Sequence, residues 1–519
     1  MTDVLASIND VIWSQWLIYL LLAAGVYFSI ATRFMQVRHI KDMVRQILNG
    51  ESSEHGISSF QALAVSLAGR VGAGNIVGVA TAIAFGGPGA LFWMWVVAFL
   101  GASTSFVECT LGQIYKVPDP VTGEYRGGPA FYIKQAKAHT SAKGVFKVFA
   151  WVFALVTLIA CGVLMPNIQA NSISDSMNNA WGIEPWVIGT ATALVLGFVI
   201  IGGVKRIAVF AAVVVPFMAV VYIALAVLVL LFNLGEVPEV FRLIFSSAFG
   251  ADAAFGAILG SAIMWGVKRG LYSNEAGQGT GPHAAAAAEV SHPAKQGMVQ
   301  AFAVYIDTLF VCSATGFLIL STGAYRVFHG ESEAGGVLAD GGGLPAHVPG
   351  EKEVGAGYVQ HGFDSFWSGA GSSFVAISLA FFCFTTIVAY YYMAEVNLRF
   401  MLGNSATTYI RPLRLTVGPA LQRVLQAVIV VSVVYGAVST AEDAWALGDI
   451  GVGTMAWLNL IAIVILQVPA LKALRDYERQ RKAGLDPVFD PVPLGIKGAT
   501  FWETYTGPPS REQTVEITR

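Results

Sequence analysis

The run Ala68-Gly69-Arg70-Val71-Gly72-Ala73-Gly74-Asn75 sets three glycines, a guanidinium and a carboxamide inside an otherwise apolar stretch. Each glycine costs a helix about 1 kcal/mol relative to alanine. The run therefore predicts an unwound break, with close helix packing through small residues as the alternative. A break frees backbone groups to line a cavity, here around Gly72 and Gly74. Freed amides suit a carboxylate; freed carbonyls and half-helix C-termini suit a cation. One break thus offers both poles that a zwitterion and a coupling cation require.

Side chains elsewhere extend this chemistry. Thr385 and Thr386 place adjacent hydroxyls deep in another apolar run. Hard cations take oxygen ligands, although a buried threonine also bonds its own helix. Arg70 is an intramembrane charge, which calls for a partner or a functional role. It is expected to form a gate or helix-pairing salt bridge with Glu108, Asp307 or Glu395, or else to meet a substrate carboxylate. Asp307, mid-span, carries the proton-coupled alternative. Gly78-Val79-Ala80-Thr81 is all small, and Tyr390-Tyr391-Tyr392 follows the threonine pair by one turn. Together they suit a tight pocket for a small amino acid, while packing and interface anchoring is the plainer role for the tyrosines.

A second glycine-rich run reads Gly270-Leu271-Tyr272-Ser273-Asn274-Glu275-Ala276-Gly277-Gln278-Gly279-Thr280-Gly281, preceded by Gly256, Gly260 and Gly266. Asp252 to Arg269 already spans about 27 Å at roughly 1.5 Å per residue. Lys268 and Arg269 then fit the inner face. Unwinding is accordingly expected near Gly260–Gly266, with Asn274 and Glu275 in a cytosolic-side turn or gate.

The elements that position these residues follow from composition. Of 519 residues, 55% are hydrophobic and 12% are charged, about half the charged fraction of a soluble domain. Apolar stretches recur from Val11 to Ala470, long enough for a hydrocarbon core of roughly 30 Å. Lipid forces them into helices; barrel-type alternation is absent. About eleven spans are expected, at 11–32, 60–85, 90–115, 146–170, 185–203, 207–232, 252–269, 293–322, 367–398, 417–440 and 445–470. The first reads as a retained span rather than a signal peptide. With the N-terminus outside, 27 of the 31 Lys and Arg fall inside and three outside, which fixes an N-out, C-in orientation by the positive-inside rule. The four cysteines all fall in apolar segments and read as small core residues. No basic domain points to nucleic acid, and no motif speaks to oligomeric state.

Spans two to six and seven to eleven each begin with a glycine-interrupted helix, in opposite orientations. That is an inverted repeat, which places its site at the midplane. The organisation is an N-terminal span with a basic cytosolic linker (1–50), a first repeat (55–235), a second repeat (250–470) with an external loop (325–366), and a cytosolic tail (471–519) that opens as a basic helix.

Three blocks resemble the alanine/glycine:cation symporter family. They are Gly69 to Trp95, Gly266 to Pro282, and Phe384 to Tyr392. The resemblance extends over most of 55–470. It implies an all-α, leucine-transporter-like fold with an extra N-terminal helix, and uptake of alanine, glycine and similar amino acids driven by sodium or protons, at the inner membrane of a bacterium. It also implies that Asn75, Gly78 and Thr81 line the substrate site, with Thr386 and Tyr390 on the opposite wall. Gln169 lies in the retained Gln169-Ala170-Asn171. A sodium site of Ala68 and Val71 carbonyls with Thr385 and Thr386 hydroxyls is implied too, with sodium as coupling ion and no other cofactor. The third block departs from the family's usual Gly-Trp by reading Ala389-Tyr390, so a small neutral amino acid is the wording the residues support, with alanine or glycine as first guess.

Other classes fit less well. A channel needs a continuous polar stripe, and the polar residues are isolated. A membrane enzyme needs a nucleophile–His pair or metal cluster, and an ATP-driven pump a Walker motif; neither pattern is present in the spans.

Overall fold

A computed structural model of the chain describes residues 2–48, 56–119, 123–201, 203–251, 255–347, 354–410 and 415–505. Asp252 at the start of one expected span, Lys352 in the long loop and the tail from 506 onward lie outside the described residues.

The chain is a mostly helical, multi-pass membrane protein. Among the described residues eight helices are long and apolar enough to cross a membrane, and a bent pair makes nine. Two of the expected spans fall short of that length. They correspond to Pro185–Ile200 and Leu259–Asn274, of 16 residues each.

The bent pair is the first glycine-rich run. Its leading half, Ser59–Arg70, starts at a capping box: Gln61 N donates to Ser58 Oγ at 3.1 Å and Ser58 N to Gln61 Oε1 at 2.9 Å. Those bonds satisfy two amides that would otherwise be orphaned. The helix stops at Val71, whose ψ of 94° is extended. It resumes in a π-helical stretch, Gly74–Gly78, and continues as Val79–Gly86, turned by 53°.

The second broken helix corrects the expected position of its break. Leu259–Asn274 runs unbroken through Gly260 and Gly266. The chain unwinds at Glu275, which has a φ of 55°, and at Gly277 and Gly279, with φ of 89° and 92°. It becomes helical again at Gly281–Ala287. Only glycine adopts those later dihedrals without strain. Gly266 has a different role: a Cβ there would stand 2.5 Å from Trp93 Cβ and 2.6 Å from the Ala90 carbonyl. It is a packing glycine, where Leu259–Asn274 crosses the long helix Gly89–Ile114. Residues 271 to 304 are almost wholly buried, so Asn274 and Glu275 lie in the protein interior and not in a surface turn.

The two broken helices lie against one another in a telling order. Ser59–Arg70 packs on Gly281–Ala287, and Val79–Gly86 packs on Leu259–Asn274. Each leading half meets the other's trailing half, so the two run antiparallel. The surrounding bundle shows the same exchange. Met165–Trp181 packs on Ala441–Leu466, and Ala370–Leu402 packs on Gly203–Phe232. Two more π-helical stretches, Ala160–Leu164 and Tyr305–Cys312, interrupt long spans; such bulges collect at functional sites.

Both hydrophilic pieces carry structure. In the long loop Arg326–Phe328 pairs antiparallel with Val337–Asp340, and the helix Ala356–Asp364 packs on Ala370–Leu402. The tail opens as the basic helix Val468–Lys482 and then folds back. Trp502 Nε1 donates to the Gln113 carbonyl at 3.0 Å, and Lys116 Nζ sits 4.6 Å from the ring centres of Tyr125 and Phe501.

The packing glycine gives a direct test. Gly266→Ala forces a methyl into backbone, an overpacking worth roughly 1–3 kcal/mol, and is expected to lower the melting temperature in detergent. Gly197→Ala, which meets nothing within 4 Å, is the control and should leave it unchanged.

Candidate functional site

The first break and the helix Ala370–Leu402 converge on one hydroxyl. Thr386 Oγ1 lies 2.8 Å from the Ala68 carbonyl, 2.9 Å from that of Phe382 and 3.3 Å from that of Val71. A hydroxyl has one proton to donate, so these four oxygens are more acceptor than donor, the composition a hard cation takes. Thr385 meets the cluster at one oxygen, the Phe382 carbonyl. Its hydroxyl donates to the Phe382 carbonyl at 2.9 Å within its own helix, the plain behaviour of a buried threonine. Both hydroxyls share the Phe382 carbonyl, and only that of Thr386 also reaches the carbonyls of the first break. The Phe382 carbonyl was not singled out from sequence; the helical i−4 reach of Thr386 was its only signal.

Beside this cluster the unwound amides are held by side chains. Gly72 N donates to Asn75 Oδ1 at 2.9 Å, and Ala73 N to Gln169 Oε1 at 3.0 Å. Gln169 Nε2 reaches Tyr272 Oη at 3.4 Å. A Cβ on Gly72 would stand 2.6 Å from Thr386 Oγ1 and 2.8 Å from Gln169 Oε1; one on Gly74 would stand 3.0 Å from Tyr272 Cδ1. The glycines allow the second broken helix, Gln169 and Thr386 to close on the break.

Asp307 ties both broken helices together. It accepts from Asn75 Nδ2 at 2.6 Å, from Ser273 Oγ at 2.8 Å and from Thr308 Oγ1 at 2.8 Å. It does not pair with Arg70. Arg70 is buried and makes no ion pair among the described residues. Its guanidinium donates to the Gln300 carbonyl at 3.0 Å and to Ser105 Oγ at 3.2 Å. Glu395, another expected partner, lies 3.6 Å from Arg126 and 4.0 Å from Arg399 instead.

The second break has its own ring. Glu108 accepts from Gly277 N at 3.1 Å and from Asn459 Nδ2 at 2.7 Å, and Tyr132 Oη hydrogen-bonds Asn459 Oδ1. Glu275 accepts from Thr280 Oγ1 at 2.8 Å and from Tyr390 Oη at 3.2 Å. Asn274 Oδ1 caps Ala276 N at 3.0 Å. Through that bond Tyr390 joins this buried ring.

Above the first break lies a cavity of about 1110 Å³. Thr81 and Val77 line it from the first broken helix, Trp445 and Asp449 from Ala441–Leu466, and Glu331 and Val354 from the long loop. Arg269 and Lys268 line it as well, which corrects their expected place at the inner face: they share the face of the 325–366 loop. Arg269 donates to Asp449 at 3.0 Å, and Lys268 Nζ lies 2.9 Å from the same carboxylate. Gly78 sits beneath, where a Cβ would be 3.8 Å from both Arg269 Cδ and Trp445. Asp449, Trp445 and Ser273 went unnoticed in the sequence. A single aspartate inside an apolar span was the available signal for the first.

The structure therefore gathers Ala68, Val71, Gly72, Gly74, Asn75, Gln169, Thr386 and Asp307 at the first break. It gathers Glu108, Asn274, Glu275 and Tyr390 at the second. Thr81 lines the cavity, Gly78 packs behind Arg269 and Trp445, and Thr385 meets the first-break cluster at the Phe382 carbonyl alone.

Comparison with known proteins agrees with this architecture. A family profile described as the sodium:alanine symporter family matches residues 1–491. YrbD of Bacillus subtilis strain 168 is 55% identical over 97% of this chain and 98% of its own. The sodium/proton-dependent alanine carrier protein of Bacillus sp. PS3 is 50% identical over 89% of this chain and 97% of its own. A third relative, named "Probable sodium/glutamine symporter GlnT", from Bacillus subtilis strain 168, is 41% identical over 93% and 91%.

The contact at Gly72 can be probed directly. Gly72→Ala is expected to fold but to displace Thr386 from the Ala68 carbonyl. The rise in melting temperature that sodium chloride gives over choline chloride in the unaltered protein should then disappear.

Proposed function

The chain belongs to the sodium:alanine symporter family, and from that premise we propose that it imports a small neutral amino acid by secondary active symport with sodium. Alanine and glycine are the first candidates. The observation that carries the ion assignment is the convergence of the Ala68, Val71 and Phe382 carbonyls on Thr386 Oγ1.

A sodium ion among these oxygens would join the first broken helix to Ala370–Leu402. Thr386 would turn a lone pair to the ion and withdraw its proton from the Ala68 carbonyl. The ion would thus favour the arrangement in which these two helices are closest, which is how a ligand shifts a conformational equilibrium. Solute binding at the same break would raise sodium affinity by the factor by which sodium raises solute affinity. The small face at Gly78 and Thr81 favours a short side chain. The exchange of packing partners between the two groups of helices supports an inverted pair of five-helix halves in the leucine-transporter manner, and hence alternating access at the midplane.

The lysine and arginine distribution supports a bacterial inner-membrane protein with its N-terminus outside and its C-terminus in the cytosol. The cavity, lined by the 325–366 loop, would then open outward. Removing Lys268 and Arg269 from the inner set leaves that bias strong. A proton-coupled reading has one observation in its favour, the buried Asp307 carboxylate shared by both broken helices.

Proteoliposomes holding the purified protein decide between these. Labelled alanine and glycine should accumulate under an inward sodium gradient, with glutamine as comparison, and not under a proton gradient alone. Indifference to both gradients would sink symport. Thr386→Val should raise the sodium concentration for half-maximal uptake by roughly tenfold, the worth of about 1.4 kcal/mol. Thr385→Val should raise it less, since that hydroxyl meets only the Phe382 carbonyl among the cluster's oxygens.

A further inference from the structure

We infer that Arg269 receives the carboxylate of the incoming amino acid at the cavity floor, before the solute enters the first break. The inference rests on the symport reading above and adds an entry site to it. Asp449 is the one carboxylate that Lys268 and Arg269 contact among the described residues. Lys268 Nζ lies 2.9 Å from Oδ2, and Arg269 reaches Oδ1 at 3.0 Å and Oδ2 at 3.4 Å. Two cations on one carboxylate leave a local surplus of positive charge.

The surplus belongs to Arg269 rather than Lys268. A guanidinium carries five N–H donors in a planar fork, and Arg269 commits two to Asp449 while its Nε has no partner. Its plane is held in place by aromatic faces, 4.2 Å from the centre of Trp445 and 5.0 Å from that of Trp265. Such a fork takes a second carboxylate in bidentate fashion. Lys268 is what makes the exchange possible. When Arg269 turns to a solute, Asp449 keeps a cation and avoids the cost of a buried, uncompensated charge.

Position completes the case. Arg269 packs on Gly78 and lines the cavity beside Val77 and Thr81, so a carboxylate on it leaves an amino acid's short side chain facing Val77 and Thr81. The outer parts of the cavity carry the exposed acids Asp10, Glu331 and Glu442. An acidic mouth over a basic floor draws a zwitterion in carboxylate first.

The experiment measures sodium-driven alanine uptake in proteoliposomes of the full chain, with alaninamide as a competitor that keeps the amine and lacks the carboxylate. Arg269→Gln should raise KM for alanine about tenfold with kcat within a few-fold, and should shrink the advantage of alanine over alaninamide by the same factor. Lys268→Gln should raise KM less, because Arg269 then becomes the sole partner of Asp449. Arg269→Lys should recover part of the loss. An unchanged KM or an unchanged alanine-to-alaninamide ratio in Arg269→Gln overturns the inference, as does a change in kcat alone, which is the mark of a simple closing pair. Folding of each variant is read from the melting-temperature rise with sodium. If Arg269→Gln does not fold, Arg269→Lys carries the same comparison. Absence of sodium-driven alanine uptake in the unaltered protein would instead overturn the symport reading itself.

Discussion

Two helices are broken in the middle of the bundle, and every freed backbone group there has to find a partner. Away from water an unpaired amide or carbonyl costs several kcal/mol, and the side chains around both breaks are arranged to meet that demand. Asn75 and Gln169 hold the amides of Gly72 and Ala73, while the carbonyls of Ala68 and Val71 share the single proton of Thr386. Glu108 and Asn274 hold the amides of Gly277 and Ala276, and Asn459 serves the carbonyl of Gly277. A set of buried polar residues, among them Asn75, Glu108, Gln169, Asn274 and Asn459, is thus spent on the irregular backbone.

The same demand explains the buried charges. Glu108, Glu275 and Asp307 are each bound to the neutral donors of a break, and Arg70 to a carbonyl and a hydroxyl. All four are inside the protein without direct contact between opposite charges. Arg70 nonetheless lies within electrostatic range of the three acids. Long-range compensation of this kind leaves each carboxylate free to hold backbone or hydroxyl partners. A tight ion pair would consume those oxygens.

Much of this was legible before any coordinates. Apolar length placed the helices, and glycine spacing placed the first break at the right residues. The second break was misplaced because rise per residue was counted as though the segment were an uninterrupted span. Leu259–Asn274 reaches only the interior, so its Lys268 and Arg269 belong to the other face. Glycine alone did not distinguish a break from a packing contact: Gly266 and Gly277 look alike in sequence, yet one touches backbone and the other turns it. Arg70 was assigned an acidic partner from its charge, and the structure gives it neutral oxygens. The contact of Arg269 with Asp449 spans 180 residues, beyond any local pattern. The threonine pair shows the finest grain of what sequence withholds, since one residue of helical rotation separates the oxygen that faces the break from the one that does not.

The exchange of packing partners has a thermodynamic consequence. When one half of a scaffold meets its counterpart as the counterpart meets it, the packing formed by tilting one way closely resembles the packing broken by tilting the other. Under the proposed alternating access, neither tilt would then own a deep well. The choice between them falls to whatever breaks the likeness: the hairpin loop on one face, and on the other a tail whose Trp502 and Phe501 cover Gln113 and Lys116. In the proposed alternating-access reading these appendages would be unequal weights on a nearly level balance, which a few kcal/mol from an ion or a solute would tip.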